Sequence, residues 1–267
     1  GKIEVLLLQP VTGESWEVLV RPGRKVKTGQ RIYFGGGKKL AAVVEERTSF
    51  GGRVLRFNRR GLELQACFKE LGEVPLPPYI KHPIADRERY QTVYARYEGS
   101  AAAPTAGLHF TPEILERIKD RGVKTAFLTL HIGLGTFRPV KTTNIEEHRM
   151  HAEYYRINQE LAQSIMKTRR AGGRVVAVGT TATRALETAG RDDGTVPSGE
   201  GWTDLFIYPG YRFKVVNSMV TNFHLPRSTL LMMISAFAGR ERVLSAYEEA
   251  VRRSYRFFSF GDAMLIV

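Results

Sequence analysis

The sequence predicts an α/β protein with a small all-β barrel domain: a barrel over 1–78, then a mixed, largely parallel sheet flanked by helices over 79–267. Three observations predict it. The first 75 or so residues break into short apolar runs at close spacing, separated by turn residues. After "GEVPLPPYIK", with Pro75, Pro77 and Pro78, the hydrophobic period lengthens to that of helices. Beyond that point helical stretches alternate with apolar strands, the pattern of an α/β layer with parallel pairing.

In order, "KIEVLLL", "SWEVLVR", "QRIYFG", "KLAAVVEERT" and "GRVLRFN" read as strands. Thr12-Gly13, Pro22-Gly23, Thr28-Gly29 and Gly51-Gly52 supply the turns between them. Several short strands in a row indicate an antiparallel barrel or sandwich. The first helix of the second part is "TPEILERIKDRG": Thr111 caps it, Pro112 takes the first helical position, Ile114, Leu115 and Ile118 share a face, and Gly122 stops it. The strand "VKTAFLTLHIG" follows. Next come a helix "NQELAQSIMKTRRAGG", a strand "RVVAVG" and a helix "ATRALETAG". Residues 191–201, "RDDGTVPSGEG", are polar and turn-rich and are expected to form a mobile loop. "RERVLSAYEEAVRRS" places Val243, Leu244, Tyr247, Ala250 and Val251 on one helical face.

Composition excludes several function classes. The longest apolar run, Leu230 to Ala238, is too short for a bilayer, which needs about 20 residues, so no membrane role is expected. No secretory signal pattern opens the chain, and a cytoplasmic monomer is expected. The single cysteine, Cys67, excludes an intramolecular disulfide and any cysteine-rich zinc or iron-sulfur site. The net charge of +13 points to a polyanionic partner, because phosphate contacts release condensed counterions. Its sources are scattered (Arg24 and Lys25, Arg59 and Arg60, Arg169 and Arg170, Arg252 and Arg253), so a basic folded surface is expected and not a basic tail.

Three places can carry chemistry. In "FLTLHIGLGTFRPV" a strand delivers His131, Gly133, Gly135 and Arg138 to its C-terminal end. A dinucleotide fingerprint needs a third glycine and then a helix, which Phe137, Arg138 and Pro139 exclude. Close backbone approach to a ligand and a structural bulge both remain open there. In "VAVGTTATRALE", Gly179, Thr180 and Thr181 lead from strand to helix, and with Arg184 they make an anion seat, unless the threonines are only caps. "TNFHLPRSTLLMMISAFAG" sets Asn222, His224 and Ser228 just before an apolar helix. "HRMHAEYY" spaces His148 and His151 three apart, whereas a zincin needs four with a glutamate between; no metal is expected. Stacking of bases on Tyr154 or Tyr155 beside those histidines fits RNA better.

"APTAGLHFT" (from Ala103), "LHIGLGTFRPV", "HRMHAE", "GTTATRALE", "TDLFIYPGYRF", "TNFHLPRSTLLMMISAFAG" and "YRFFSFGDAMLI" occur in this order. Together they resemble the S-adenosylmethionine:tRNA ribosyltransferase-isomerases of queuosine biosynthesis, and 1–78 resembles that family's inserted β domain. The resemblance implies transfer of the ribosyl part of S-adenosylmethionine to 7-aminomethyl-7-deazaguanine at the wobble position of a tRNA with a GUN anticodon. Rearrangement there gives epoxyqueuosine, with adenine and methionine released. S-adenosylmethionine is then a consumed substrate, and no cofactor is expected. His109, His131, His224 and Asp262 become the candidate acid-base and positioning groups. Thr105, Gly107, Gly133, Gly135, Thr136, Thr180, Thr181, Arg184, Asn222 and Ser228 become candidates for substrate binding. Arg24, Lys25, His148, His151 and Tyr154 become candidates for RNA contact. The family's chain carries a further segment before its first barrel strand, so 79–267 is expected to form an incomplete α/β domain. A tRNA-binding protein without catalysis and an S-adenosylmethionine-dependent RNA methyltransferase are the alternatives; no glycine-rich strand-to-helix loop followed by a strand-end acid supports the latter.

Overall fold

The structure, a computed structural model, describes residues 1–37, 39–49, 51–77, 79–80, 86–97, 99–100, 102–133 and 144–267. Gly135, Thr136 and Arg138 lie outside the described residues. The chain divides into two compact units, Gly1–Pro78 and Tyr79–Val267.

In the first unit, five antiparallel strands, β1 (Glu4–Pro10), β2 (Ser15–Arg21), β3 (Arg31–Phe34), β4 (Leu40–Arg47) and β5 (Arg53–Phe57), pair in the order β1-β2-β5-β4-β3. Alternate residues Val18, Ile32, Leu40, Ala42, Val44, Leu55 and Phe57 face one core. The expected barrel is an open sheet with β1 and β3 as its edges. Its core is completed by a helix that the strand-like reading passed over, α1 (Gly61–Leu71). Leu64, Cys67, Phe68 and Leu71 recur at helical spacing and pack on that core.

The second unit holds two three-stranded sheets. One runs β6 (Thr129–His131), β7 (Glu153–Ile157), β9 (Gly199–Thr203), and is antiparallel throughout. The other runs β11 (Ala263–Ile266), β10 (Ser218–Asn222), β8 (Val176–Val178). Only β8 and β10 pair in parallel among the described residues, and β11 is antiparallel to β10. The expected largely parallel sheet is therefore corrected to mostly antiparallel pairing. The reason lies in the connections: α3 (Gln159–Arg170) leaves β7 in one sheet and leads to β8 in the other, so this strand-helix-strand stretch never closes a parallel unit. Residues 199–201 of the expected loop belong to β9.

The helices α2 (Pro112–Asp120), α3, α4 (Thr180–Ala189), α5 (Thr229–Ala238) and α6 (Arg240–Arg252) stand where the apolar periodicity put them. Thr111, Asn158 and Ser228 accept backbone N–H bonds as caps of α2, α3 and α5. Ile157, Leu161, Ile165, Ala177, Leu186 and Val215 form a core beneath β7, β8, α3 and α4. Met219, Met233, Ile234, Val243 and Ile266 form another beneath β10, β11, α5 and α6. Among the described residues no helix is long and apolar enough to cross a membrane.

Candidate active site

A cavity of about 200 Å³ lies at the C-terminal ends of the one parallel pair, β8 and β10. That is where an α/β sheet offers helix N-termini and loops to a ligand. Gly179 makes the turn possible: its φ of 97° and ψ of 146° suit only glycine, and its N–H reaches the Val220 carbonyl at 2.9 Å. The chain passes from β8 straight into α4, so Thr180 and Thr181 line the cavity on the first turn of a helix. Among the described residues neither hydroxyl has a hydrogen-bond partner in the protein. Their hydroxyls, with the unpaired N–H groups and positive dipole end of α4, suit a carboxylate or another anion.

The same cavity carries a hydrogen-bonded set from β10 and the 105–109 turn. Asn222, the last residue of β10, donates from Nδ2 to Thr105 Oγ1 at 2.8 Å, and its Oδ1 lies 2.7 Å from His109 Nε2. With the amide oriented that way, His109 Nε2 is the donor and Nδ1 keeps its lone pair. Thr105 and Asn222 line the cavity directly, and His109 stands behind them. Small residues Ala103 and Ala106 also line it.

His224 is buried in the cavity wall, with Nε2 2.8 Å from Thr221 Oγ1 and its backbone N–H on the Tyr247 hydroxyl at 2.7 Å. Burial holds its pKa down at about 4, so the imidazole is neutral at ordinary pH. It can place a hydrogen bond but does not arrive as an imidazolium acid.

Several candidate residues have other work. Arg184, 2% exposed, bonds Glu153 Oε2 from Nη1 at 2.7 Å and the Leu205 and Thr203 carbonyls at 2.9 and 3.1 Å. Its guanidinium is engaged inside the protein, and Arg184 is not among the cavity residues, unlike Thr180 and Thr181, with which it was expected to form an anion seat. Asp262 pairs with Arg256, Oδ1 to Nη2 at 2.7 Å, and accepts the Arg256 backbone N–H. Those bonds hold its carboxyl below the usual range, which makes Asp262 a loop clamp and a poor base. Gly107 is buried against Tyr94, not in the cavity wall: a Cβ there would lie 2.2 Å from the Tyr94 hydroxyl. Ser228 lines the cavity, but its hydroxyl is already used as the α5 cap and as a donor to the Leu225 carbonyl. Gly133 is half-buried with open space around it and is not among the cavity residues.

The remaining candidates lie elsewhere. His131 stands on β6 with its ring 5.3 Å from that of Tyr154. His148 packs edgewise on Phe206 at 5.2 Å, and His151 is exposed. Arg24 and Lys25 are exposed on a short 3-10 turn of the first unit. Among the cavity residues that escaped the sequence reading are Phe258, Ser259 and Tyr79. Phe258 sits at φ 71°, an unusual value for a bulky residue, with its N–H on the Phe223 carbonyl and its ring 5.0 Å from that of Tyr79. The Tyr79 hydroxyl meets Ser259 Oγ at 2.6 Å, and burial pushes the phenol pKa up. The motif "YRFFSFGDAMLI" held two of them, but no local pattern marks which of its aromatics turns inward.

Comparison with known proteins shows which family this chain resembles. The queuosine biosynthesis protein family matches residues 1–266. The S-adenosylmethionine:tRNA ribosyltransferase-isomerase of Thermoanaerobacter sp. (strain X514) is 57% identical over 100% of this chain and 78% of its own length. That of Moorella thermoacetica is 59% identical with the same coverage. A crystal structure of the S-adenosylmethionine tRNA ribosyltransferase of Thermotoga maritima is 38% identical and aligns over 100% of this chain and 75% of its own, with a TM-score of 0.49.

Proposed function

This chain belongs to the S-adenosylmethionine:tRNA ribosyltransferase-isomerase family, and from that premise we propose how its cavity serves the reaction. The enzyme moves the ribosyl part of S-adenosylmethionine onto 7-aminomethyl-7-deazaguanine in tRNA and isomerises it, giving epoxyqueuosine, adenine and methionine. Its tRNA carries a GUN anticodon, and it works in the cytoplasm. The observation that carries the site assignment is that a helix N-terminus and the hydrogen-bonded Thr105–Asn222–His109 set come together at one cavity. The α4 N-terminus with Thr180 and Thr181 takes the methionine carboxylate, the one anionic group of S-adenosylmethionine. Thr105 and Asn222 face the sugar, with His109 hydrogen-bonded behind them, where the sulfonium acidifies the neighbouring C5′ hydrogen enough for an ordinary base. His109 Nδ1 is the basic nitrogen of that set, and Asn222 fixes the tautomer through Nε2. Neutral His224 orients Thr221 on the cavity wall. Phe258 and Tyr79 give an aromatic side against which a purine can lie.

Adenine release from S-adenosylmethionine tests both parts. Release should require tRNA bearing the aminomethyl-deazaguanine, and His109→Ala should slow it by roughly 10²–10⁴-fold. Equal release with unmodified tRNA would remove the coupled reaction, and full turnover by the variant would remove His109 from the set. Accumulation of S-adenosylhomocysteine would mark a methyltransferase instead.

A further inference from the structure

One face of the β6-β7-β9 sheet carries a row of rings that the cavity does not use. Strand register sets His131 opposite Tyr154 and Tyr154 opposite Trp202. Their ring centroids are 5.3 and 5.7 Å apart. The alternation of strand residues explains which way they turn. Tyr155 and Ile157 pack into the core on the inner face, so Tyr154 and Arg156 stand on the outer one. Trp202 is 63% exposed, although burying such a ring would be strongly favourable. His131 Nδ1 is buried and has no hydrogen-bond partner among the described residues. Exposed Arg156 stands two residues beyond Tyr154 on the same face. Ile132, next to His131 in sequence, lines the cavity, so the chain at the end of β6 serves both places while alternation turns the two side chains to opposite faces.

We propose that His131, Tyr154 and Trp202 form a stacking platform for unpaired nucleobases flanking the one presented to the cavity, with Arg156 meeting an adjacent phosphate. This rests on the reading above that tRNA is the substrate. Rings spread across the strands of an antiparallel sheet meet bases through their flat faces, which a paired helix keeps hidden. Beside the row Arg156 stands in register with Glu200, which accepts the Tyr154 hydroxyl at 2.7 Å, so the chain's net charge of +13 and the open ring faces are what favour RNA over an apolar protein segment as the occupant.

Trp202 is itself the probe. The chain has two tryptophans, and Trp16 packs against Phe68 inside the first unit, so a Trp16→Phe variant of the full chain reports on Trp202 alone. An anticodon stem-loop RNA should quench that emission, while a fully paired duplex of equal charge should not. If the variant folds poorly, the emission difference between the unaltered chain and Trp202→Phe gives the same signal. Trp202→Ala should weaken stem-loop binding by roughly 5- to 150-fold, the usual range for losing one base-aromatic stack, and leave duplex binding nearly unchanged. Stem-loop binding seen by anisotropy with Trp202 emission unchanged overturns the platform and leaves the tRNA reading standing. Equal weakening toward loop and duplex also overturns it, since only a structural or purely electrostatic role does that. Absence of any stem-loop binding by the unaltered chain removes the tRNA reading and the platform with it, as does Trp202 quenching by an apolar peptide alone.

Discussion

Replacing Glu153 with Met should be among the most destabilising single changes in the second unit. Glu153 and Arg184 are 1% and 2% exposed, and their Oε2–Nη1 contact is 2.7 Å. Burial pulls the Arg184 pKa down and the Glu153 charge pulls it back up, so the guanidinium depends on that carboxylate for compensation. Removing it leaves a buried cation with the carbonyls of Leu205, Thr203 and His151 and the weaker charge of Asp204, at a cost of about 3–5 kcal/mol. For a unit of this size that is roughly 6–20 °C in Tm. Arg184→Met should cost a similar amount, because the carboxylate loses its counter-charge and those carbonyls lose donors, each worth about 1–3 kcal/mol. In the double variant no uncompensated charge remains, and its loss should fall about 2 kcal/mol or more below the sum of the singles. Urea unfolding of all four proteins, followed by calorimetry, completes the cycle. A Glu153→Met loss under about 1 kcal/mol, or additivity within about 0.5 kcal/mol, would refute the assignment of a buried, mutually dependent pair.

Two further outcomes follow from the same geometry. His224 titrates near 4 when folded and near 6.5 when unfolded, so between those values the unfolded chain binds more protons. Its contribution is therefore fully present above pH 6.5 and is lost as pH falls toward 4; His224→Gln should flatten that part of the stability profile, and an unchanged slope in urea midpoints from pH 7 to 4.5 would count against it. Gly107→Ala drives a Cβ against the Tyr94 hydroxyl and the Thr92 methyl, at 2.2 and 2.7 Å, and should shift the Thr105–His109 turn. We expect adenine release to drop on the order of 10²-fold, with partial recovery when Tyr94→Phe removes the hydroxyl; no recovery would show that the glycine acts in some other way.

What could be read in the sequence was whatever a local period or cap encodes. Thr111-Pro112 and Asn158 announced α2 and α3, and the short apolar runs before Pro75 announced strands. Pairing direction was hidden because it depends on which sheet a strand joins, and α3 reads the same whether it bridges two sheets or crosses within one. α1 was legible at Leu64, Cys67, Phe68 and Leu71 but was masked by the run of strands ahead of it. At the site, Gly179-Thr180-Thr181 could be found because a strand-glycine-helix junction has a local signature. The Arg184 side chain could not: its position five residues after Gly179 suited an anion seat, and only the fold brings Glu153 to it from 31 residues away. Asp262 misled for the opposite reason, since its partner Arg256 is six residues away and the motif gave no sign of the loop that joins them.

The residues that do not touch the cavity explain how its two sides are held in register. Glu153 and Tyr154 are neighbours on β7 that point to opposite faces. The inward one fixes Arg184, which lies one helical turn beyond Thr180 on α4, and the outward one is the middle ring of the exposed row. The Thr203 carbonyl, next to Trp202 on β9, accepts from the same guanidinium. One buried cation thus ties α4, whose N-terminus lines the cavity, to two of the three strands that carry the rings. A substitution at this pair should therefore disturb cavity and platform together, whereas loss of Trp202 should weaken the loop and leave the cavity intact. That difference separates an architectural residue from a contact residue without appeal to how deeply either is buried.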